Sequence, residues 1–186
     1  MSIPIHLRNI PGTPEIFDHP KFIASIAKWY KPNIFIEYGV AQGNATVVFA
    51  PFCRKVIGVD IKNSCVHDIP NMDFFEMDTR KFKTEVLDKM DNTVEMAFID
   101  ADHNAKSAFQ DFEDLFPHII NNGIIFIHDT YPCEEKWTMP SACGDSWKVP
   151  FRIKEKYGSQ CEILTIPIQP GLTMVKKVSA VPSYMV

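Results

Sequence analysis

A chain of 186 residues is long enough for one domain with a proper core and short for two. Hydrophobic residues make up 46% and charged residues 23%, an ordinary balance for a globular protein. The formal net charge of -4 supplies no global positive field, which argues against nucleic acid as the main partner, and the longest apolar runs fall far short of a membrane span.

The opening residues, "MSIPIHLRNIPGTPE", have no basic start followed by an apolar stretch, so no secretory leader and a cytoplasmic location are expected. Pro4, Pro11, Gly12 and Pro14 make this an irregular lead-in up to residue 17. A helix follows, with Asp18 as N-cap, Pro20 in its first turn, Phe22, Ile23, Ile26, Ala27 and Tyr30 on one face, and Pro32 as its stop. Apolar strand-like runs then alternate with helical segments: Ile34–Glu37, Val56–Asp60, Phe74–Met77, Met96–Asp100 and Ile124–Asp129. Between the last two, Ala105, Ala108, Phe109, Phe112, Leu115 and Phe116 keep helical spacing, with Gly123 as a stop signal. After a polar loop over 131–146, "SWKVPFRIKEKYG" reads as a helix interrupted near Pro150. "CEILTIPIQPGLTMVKK" reads as an antiparallel hairpin turning at Pro170 and Gly171 and closing the sheet edge.

Strand and helix in alternation predict an α/β fold: a mostly parallel, Rossmann-like sheet with helices on both faces. Three predicted strands end in a carboxylate, Glu37, Asp60 and Asp100, while Asp78 and Asp129 sit just past two others. Ligands of open α/β sheets bind at those carboxyl ends. Any one acid there reads equally well as a helix cap; five together do not. Glu37 is the most telling, because packing alone favours an apolar residue at the end of a buried strand.

The segment Glu37-Tyr38-Gly39-Val40-Ala41-Gln42-Gly43 lacks the tight glycine pair of a dinucleotide fingerprint, and a carboxylate has the wrong sign for a pyrophosphate. It suits a ligand carrying an amino group. Asp60, ending the second strand, is placed for a ribose diol.

The ordered set "IEYGVAQG", "VIGVD", "FFEMD", "AFIDADH" and "NGIIFIHDT", spanning roughly residues 34 to 131, resembles the class I S-adenosylmethionine-dependent methyltransferases. The tail hairpin resembles the closing hairpin of that family. The resemblance implies a single cofactor-binding domain that methylates a small-molecule acceptor. Gly39 with Ala41 and Gly43 would approach the methionine part of S-adenosylmethionine, with Glu37 at the strand end. Asp60 would hold the ribose hydroxyls, with Ile61 beside it, and Asp78 would accept from the adenine amino group, with Thr79 nearby. Asp100 would also border the cofactor.

Within the class, "IDADH" followed by "HD" most resembles the small-molecule O-methyltransferases that include macrolide-sugar methyltransferases and cephalosporin hydroxylase-like proteins. By that resemblance His103 would be the catalytic base beside Asp100, and Asp100, His128 and Asp129 would hold a divalent cation such as Mg²⁺. The sequence departs at His128, where metal-using relatives often carry Glu or Asn. Mg²⁺ prefers oxygen, so a softer divalent ion and a metal-free route with His103 held by a carboxylate both stay open. The bland readings are a polar cap for His128 and a helix N-cap for Asp102. Two other functions are weighed beside methyl transfer: binding of S-adenosylmethionine without catalysis, and an NAD- or nucleotide-sugar-binding Rossmann protein, which would need the missing third glycine. The odd, scattered cysteines Cys53, Cys65, Cys133, Cys143 and Cys161 are expected to be free thiols.

Overall fold

The computed structural model describes residues 17–91 and 93–178. Residues 1–16 of the lead-in lie outside them.

Helix α1 (His19–Tyr30) starts as the sequence dictates: the Asp18 carboxylate accepts from the Lys21 amide at 3.3 Å and Pro20 sits in the first turn. It ends at Lys31, which takes the left-handed conformation one residue before Pro32. Strand β1 (Ile34–Tyr38) leads through the glycine turn to a one-turn helix α2 (Thr46–Phe49), an element the sequence reading did not resolve. β2 (Lys55–Asp60), β3 (Met72–Glu76), α3 (Thr79–Glu85), β4 (Val94–Ile99), α4 (Ala105–Leu115) and β5 (Ile119–His128) complete the parallel half.

The seven strands run in the order β3-β2-β1-β4-β5-β7-β6, where β6 is Cys161–Ile166 and β7 Leu172–Lys177. β1 through β5 pair in parallel; β7 pairs antiparallel with β5 and with β6. The predicted Rossmann-like sheet and its antiparallel closing hairpin are both present. No described helix is long and apolar enough to cross a membrane, and all five cysteines are free.

Strand ends shift by one or two residues, β5 starts five residues before Ile124, and two expected helix boundaries differ. Gly123 does not stop α4: a 3-10 turn over Phe116–His118 already ends the helix, and Gly123 lies inside the longer β5. Its position admits no side chain, since a Cβ there would meet the Glu95 carbonyl at 2.9 Å. Pro150 does not interrupt a helix either. It is the second residue of α5 (Val149–Tyr157), where its missing N–H has no intrahelical partner to lose.

Side chains alternate across the pleat, so each strand feeds two cores. One face packs Ile36, Tyr38, Ala97, Ile99, Ile125 and Ile127 against α3, α4 and α5. The other packs Phe35, Met96, Phe98, Ile124 and Phe126 against α1 and α2. Glu37 continues the row of Phe35, Asp100 that of Phe98, and His128 that of Phe126. All three strand-end groups therefore belong to the α1/α2 face.

α3 and α4 are tied by Arg80, which donates to Asp111 at 2.7 Å and Asp114 at 2.5 Å. Both carboxylates are buried, and burial pushes the Asp111 carboxyl up to about 6 even with the guanidinium opposing it. Removing one partner of such a pair strands a buried charge, whereas Arg80 itself is partly exposed and screened. Arg80→Met is expected to destabilise the fold by about 2 kcal/mol in urea unfolding at pH 7. A loss below about 0.5 kcal/mol, the range of a neutral surface change, would show that the two carboxylates find other partners.

Candidate functional site

The glycine turn after β1 is built for close approach of backbone. Gly39 has φ +91°, and a Cβ there would lie 2.3 Å from the Asp100 carbonyl oxygen, so only glycine fits between β1 and β4. Ala41 also has positive φ, which aims its amide at Asp60 Oδ2, 2.8 Å away. Asp60 Oδ1 accepts from the Lys62 amide at 3.2 Å. The carboxylate predicted for a ribose thus arrives already oriented by two backbone amides, with lone pairs to spare. Ile61, next in the chain, is 76% exposed, an apolar side chain held out over this end of the sheet.

Glu37 is 1% exposed. Its Oε2 accepts from the Thr46 hydroxyl at 2.5 Å, while Oε1 is buried and has no hydrogen-bond partner among the described residues. Burial pushes this carboxyl up to about 8; the Thr46 bond opposes the shift, and the Asp100 and Asp60 charges add to it.

Asp78 and Thr79 are engaged differently. Asp78 caps α3, accepting from the Arg80 amide at 2.7 Å. The Thr79 hydroxyl lies toward the Asp111 carboxylate and, with Arg80, holds that carboxyl lower than burial alone would. Both sit at the carboxyl end of β3, but each already has a structural partner.

The other predicted residues converge. His128 Nδ1 lies 3.0 Å from Asp100 Oδ1 and 3.5 Å from Asp129 Oδ1; His103 Nε2 lies 3.2 Å from Asp129 Oδ2. Successive strand residues should point to opposite faces, yet His128 and Asp129 meet the same cluster. Asp129 has φ +58°, and this left-handed turn swings its side chain back toward His128. Burial alone would raise the Asp100 carboxyl, but His128 beside it, with His19 and His103 near, holds it below its usual range. Burial opposes charge on His128, and Asp100 and Asp129 raise it nonetheless. Asp129 is raised, by burial first and then by the Asp100 charge, over the opposing histidines.

Sequence reasoning missed His19. Its ring lies tilted against that of His128, with centroids 3.9 Å apart and planes at 44°, and 5.7 Å from Phe98. Burial and the His128 charge lower it to about 3, so it stays neutral. The signal was present in the helical repeat: His19 precedes the fully buried Ile23 by four residues and so occupies the inward face.

The loop over 131–146 packs against this cluster. Asp145 donates its amide to the His103 carbonyl at 3.0 Å, and its Oδ1 accepts from the Ala105 amide at the start of α4 at 2.6 Å. Gly144, at φ +56°, leaves no room for a Cβ beside the His103 carbonyl, 2.0 Å away. Buried Cys143 accepts from Gln169 Nε2 at 3.6 Å, and burial first, then the Asp129 charge, push its thiol up. A separate apolar cleft of about 760 Å³ opens beyond, lined by Tyr131, Pro132, Trp147, Phe151 and Lys154 among others; it starts at Thr130 and none of the five cluster side chains lines it.

Comparison with known proteins follows the same lines. No match was found among curated proteins. Solved structures share the architecture at low identity. An O-methyltransferase from Bacillus cereus in complex with S-adenosylhomocysteine is 13% identical over 92% of this chain and 86% of that one, with a TM-score of 0.68. The O-methyltransferase TomG from Streptomyces achromogenes, involved in tomaymycin synthesis and solved with S-adenosylmethionine, is 10% identical over 94% and 86%, with a TM-score of 0.69. A methyltransferase from Geobacter sulfurreducens is 14% identical over 94% and 84%, with a TM-score of 0.62. At such identities the likeness concerns the fold. The family model described as "Methyltransferase domain" matches residues 36–130, from the middle of β1 to just past Asp129, and the chain belongs to that methyltransferase family.

Proposed function

We propose that this chain uses S-adenosylmethionine to methylate a hydroxyl of a small-molecule acceptor. The observation that carries the reading is the Glu37 carboxyl, buried at the end of β1 with one oxygen unpartnered among the described residues, beside a turn that only glycine can make. That pairing suits a ligand with an amino-acid ammonium group whose carboxylate and backbone approach the turn at Gly39, Ala41 and Gly43. Asp60 and exposed Ile61 suit a ribose and the edge of a purine, and Asp78 keeps one oxygen beyond its helix cap for the adenine amino group. Thr79, turned toward Asp111, is left a structural role.

When bound, S-adenosylmethionine supplies a methyl group already activated by its sulfonium. The chain's own task is then to align the acceptor and take the hydroxyl proton. His103 is the base in this reading. Asp129 holds its Nε2, fixing the tautomer and leaving Nδ1 to accept the proton. Asp100 and Asp129 would lie beside the reacting oxygen, and with His128, whose Nδ1 is 3.0 and 3.5 Å from them, would hold any divalent ion there; the grouping around these two carboxylates whose ligand atoms all lie within 4.8 Å of one another includes His103 instead. The loop over 131–146, pinned to His103, would supply acceptor contacts and shield the site from water.

The Glu37 reading gives a pH test. Its folded-state pKa, about 8, lies above the ordinary 4.5. The unfolded chain therefore loses this proton first, and stability from the neutral carboxyl is full below about 4.5 and falls as pH rises toward about 8. Glu37→Gln should remove that slope, so the variant gains on the parent by on the order of 2–4 kcal/mol between pH 5 and pH 8 in urea unfolding. Parallel curves would place a partner on Glu37 already in the free protein.

Calorimetry with S-adenosylhomocysteine tests the cofactor. Asp60→Ala should weaken binding by about 2 kcal/mol, the cost of lost charged hydrogen bonds. Tight NADH binding without S-adenosylhomocysteine binding would overturn the assignment.

For catalysis, methyl transfer to a panel of phenolic and sugar hydroxyls should fall roughly 10²–10⁴-fold in His103→Ala, with cofactor affinity little changed. Full turnover in that variant would remove His103 as the base.

A further inference from the structure

Helix α5 carries two apolar faces. Val149 and Ile153 are fully buried in the core that α5 shares with the sheet. Pro150, Phe151 and Lys154 share the opposite face, and Trp147, in the 3-10 turn over Ser146–Lys148, extends it. A surface helix ordinarily turns charged and polar residues outward there. Here Phe151 is 68% exposed, and Trp147 meets it edge-on with centroids 6.5 Å apart. This second face lines the cleft of about 760 Å³, a volume inside the roughly 300–1,000 Å³ of small-molecule sites.

The rest of the lining says what the cleft accepts. On the loop side, Tyr131 donates its amide to the Pro170 carbonyl at 2.9 Å and Cys133 donates its amide to Gln169 Oε1 at 2.9 Å, so the exposed Tyr131 ring stands on a fixed backbone. Thr130, one residue past Asp129, and Thr165 also line the cleft. Thr173 donates to Thr130 Oγ1 at 2.9 Å, and the Thr165 and Thr173 hydroxyls lie 2.8 Å apart, so the chain of donors runs from Thr165 through Thr173 to Thr130. The Thr130 hydroxyl proton at its end belongs to a buried residue and meets no acceptor among the described residues. It suits an oxygen of a ligand. The charged residues on the lining are Glu134, Glu135 and Lys154, and Glu134 is paired with Lys136 at 2.8 Å. The cleft therefore holds no positive excess to draw an anion.

We propose that this cleft seats the methyl acceptor, and that the acceptor is an uncharged, flat aromatic compound bearing a hydroxyl. Its rings lie against Trp147, Phe151 and Tyr131, and its oxygen end points past Thr130 toward Asp129 and His103. Acceptor seating rests on the methyl-transfer reading and narrows it to one class of compound. An acidic acceptor finds no compensating cation beyond Lys154. A sugar would bury several hydroxyls against aromatic rings, with the Thr130 and Thr165 hydroxyls too few to meet them. In the transfer the acceptor oxygen gains the methyl carbon as the sulfonium S–C bond breaks, and the hydroxyl proton passes to His103.

The test titrates the full-length protein with 2-naphthol, 6-hydroxy-2-naphthoate and methyl glucoside by calorimetry, and follows methyl transfer to each. One 2-naphthol per chain should bind, at least about tenfold more tightly than the naphthoate, with methyl glucoside not bound at the same concentration. Phe151→Ala removes an exposed ring and leaves the core intact. It should weaken 2-naphthol binding about five- to tenfold and raise its KM more than it lowers kcat, with S-adenosylhomocysteine affinity unchanged. Leu164→Ala, at a comparably exposed apolar residue of β6 outside the lining, should leave 2-naphthol binding as it is. Absence of 2-naphthol binding, tighter binding of the naphthoate or the glucoside, or an equal loss in Leu164→Ala overturns the cleft. So does a parent dimer that Phe151→Ala dissociates in sedimentation and that does not bind 2-naphthol; a second copy of the chain is then the occupant. Bound 2-naphthol that is not methylated, in protein that binds S-adenosylhomocysteine, overturns the acceptor role. Failure of S-adenosylhomocysteine to bind, with Phe151-dependent 2-naphthol binding intact, removes the methyl-transfer reading alone and keeps the cleft as a site for flat aromatic compounds.

Discussion

The site depends on the parity of the pleat. In parallel strands, residues two apart share a face, and the registers of β1, β4 and β5 place Glu37 opposite Phe98 and Phe98 opposite Phe126. One more step along β4 and β5 brings Asp100 and His128 to the same face, where the strands run out of apolar partners. A one-residue slip in either strand would turn these groups into the opposite core, among Ile36, Ile99 and Ile127. The apolar rows that fix the register therefore also fix which polar groups meet at the carboxyl edge. The architecture of the core and the composition of the site are a single constraint.

That arrangement concentrates buried polar groups where the sheet has least means to satisfy them. Asp100 and His128 answer each other, and the pair survives burial because the proton held between them neutralises much of the local charge. Glu37 has no cation within reach among the described residues and stays protonated instead. These are two solutions to the same desolvation problem, and they give the two ends of the site different characters. The β1 end offers a neutral carboxyl that a positive group would ionise. The β4–β5 end carries a prepared charge pair. Catalytic sites commonly separate acid and base by environment in this way.

Much of this was legible in the sequence because it is local. The apolar runs, the Asp18 cap, the glycine turn and the acids at strand ends follow from spacing and chirality, and the closing antiparallel hairpin followed from the pattern of the tail; the strand order came only with the structure. What escaped was settled by tertiary contact. His19 sits in the first turn of a helix read for its cap and its proline; only docking of α1 on the sheet reveals that its ring reaches β5. Thr79 is adjacent to a plausible cofactor residue, yet α4 brings Asp111 to it from about thirty positions away. Pro150 looked like an interruption because the start of α5 could not be fixed without knowing where the preceding loop docks. The end of α4 was misread for a related reason: Gly123 is a close-packing glycine of β5, and nothing local distinguishes that role from a helix stop.

Two of the four described non-glycine residues at positive φ lie in this region; the others, Lys31 and Asn122, lie at the end of α1 and early in β5. Asp129 is held at positive φ where the strand ends, and Ala41, which has no side chain able to compensate, is held there in the glycine turn. Left-handed backbone costs an ordinary residue about 1–2 kcal/mol. Each instance turns a group toward the site: the Ala41 amide to Asp60, and the Asp129 carboxylate to His103 and His128. Gly144 relieves a third crowded point, where the loop over 131–146 presses its backbone on that of His103. Had the fold been optimised for stability alone, glycine or asparagine at position 41 and an extended residue at 129 would have been the easier choices. The inference runs from the observed backbone to function: the chain accepts strain where it aims polar groups, and it does so on both sides of the glycine turn, where the neutral carboxyl and the charge pair face one another across β1 and β4.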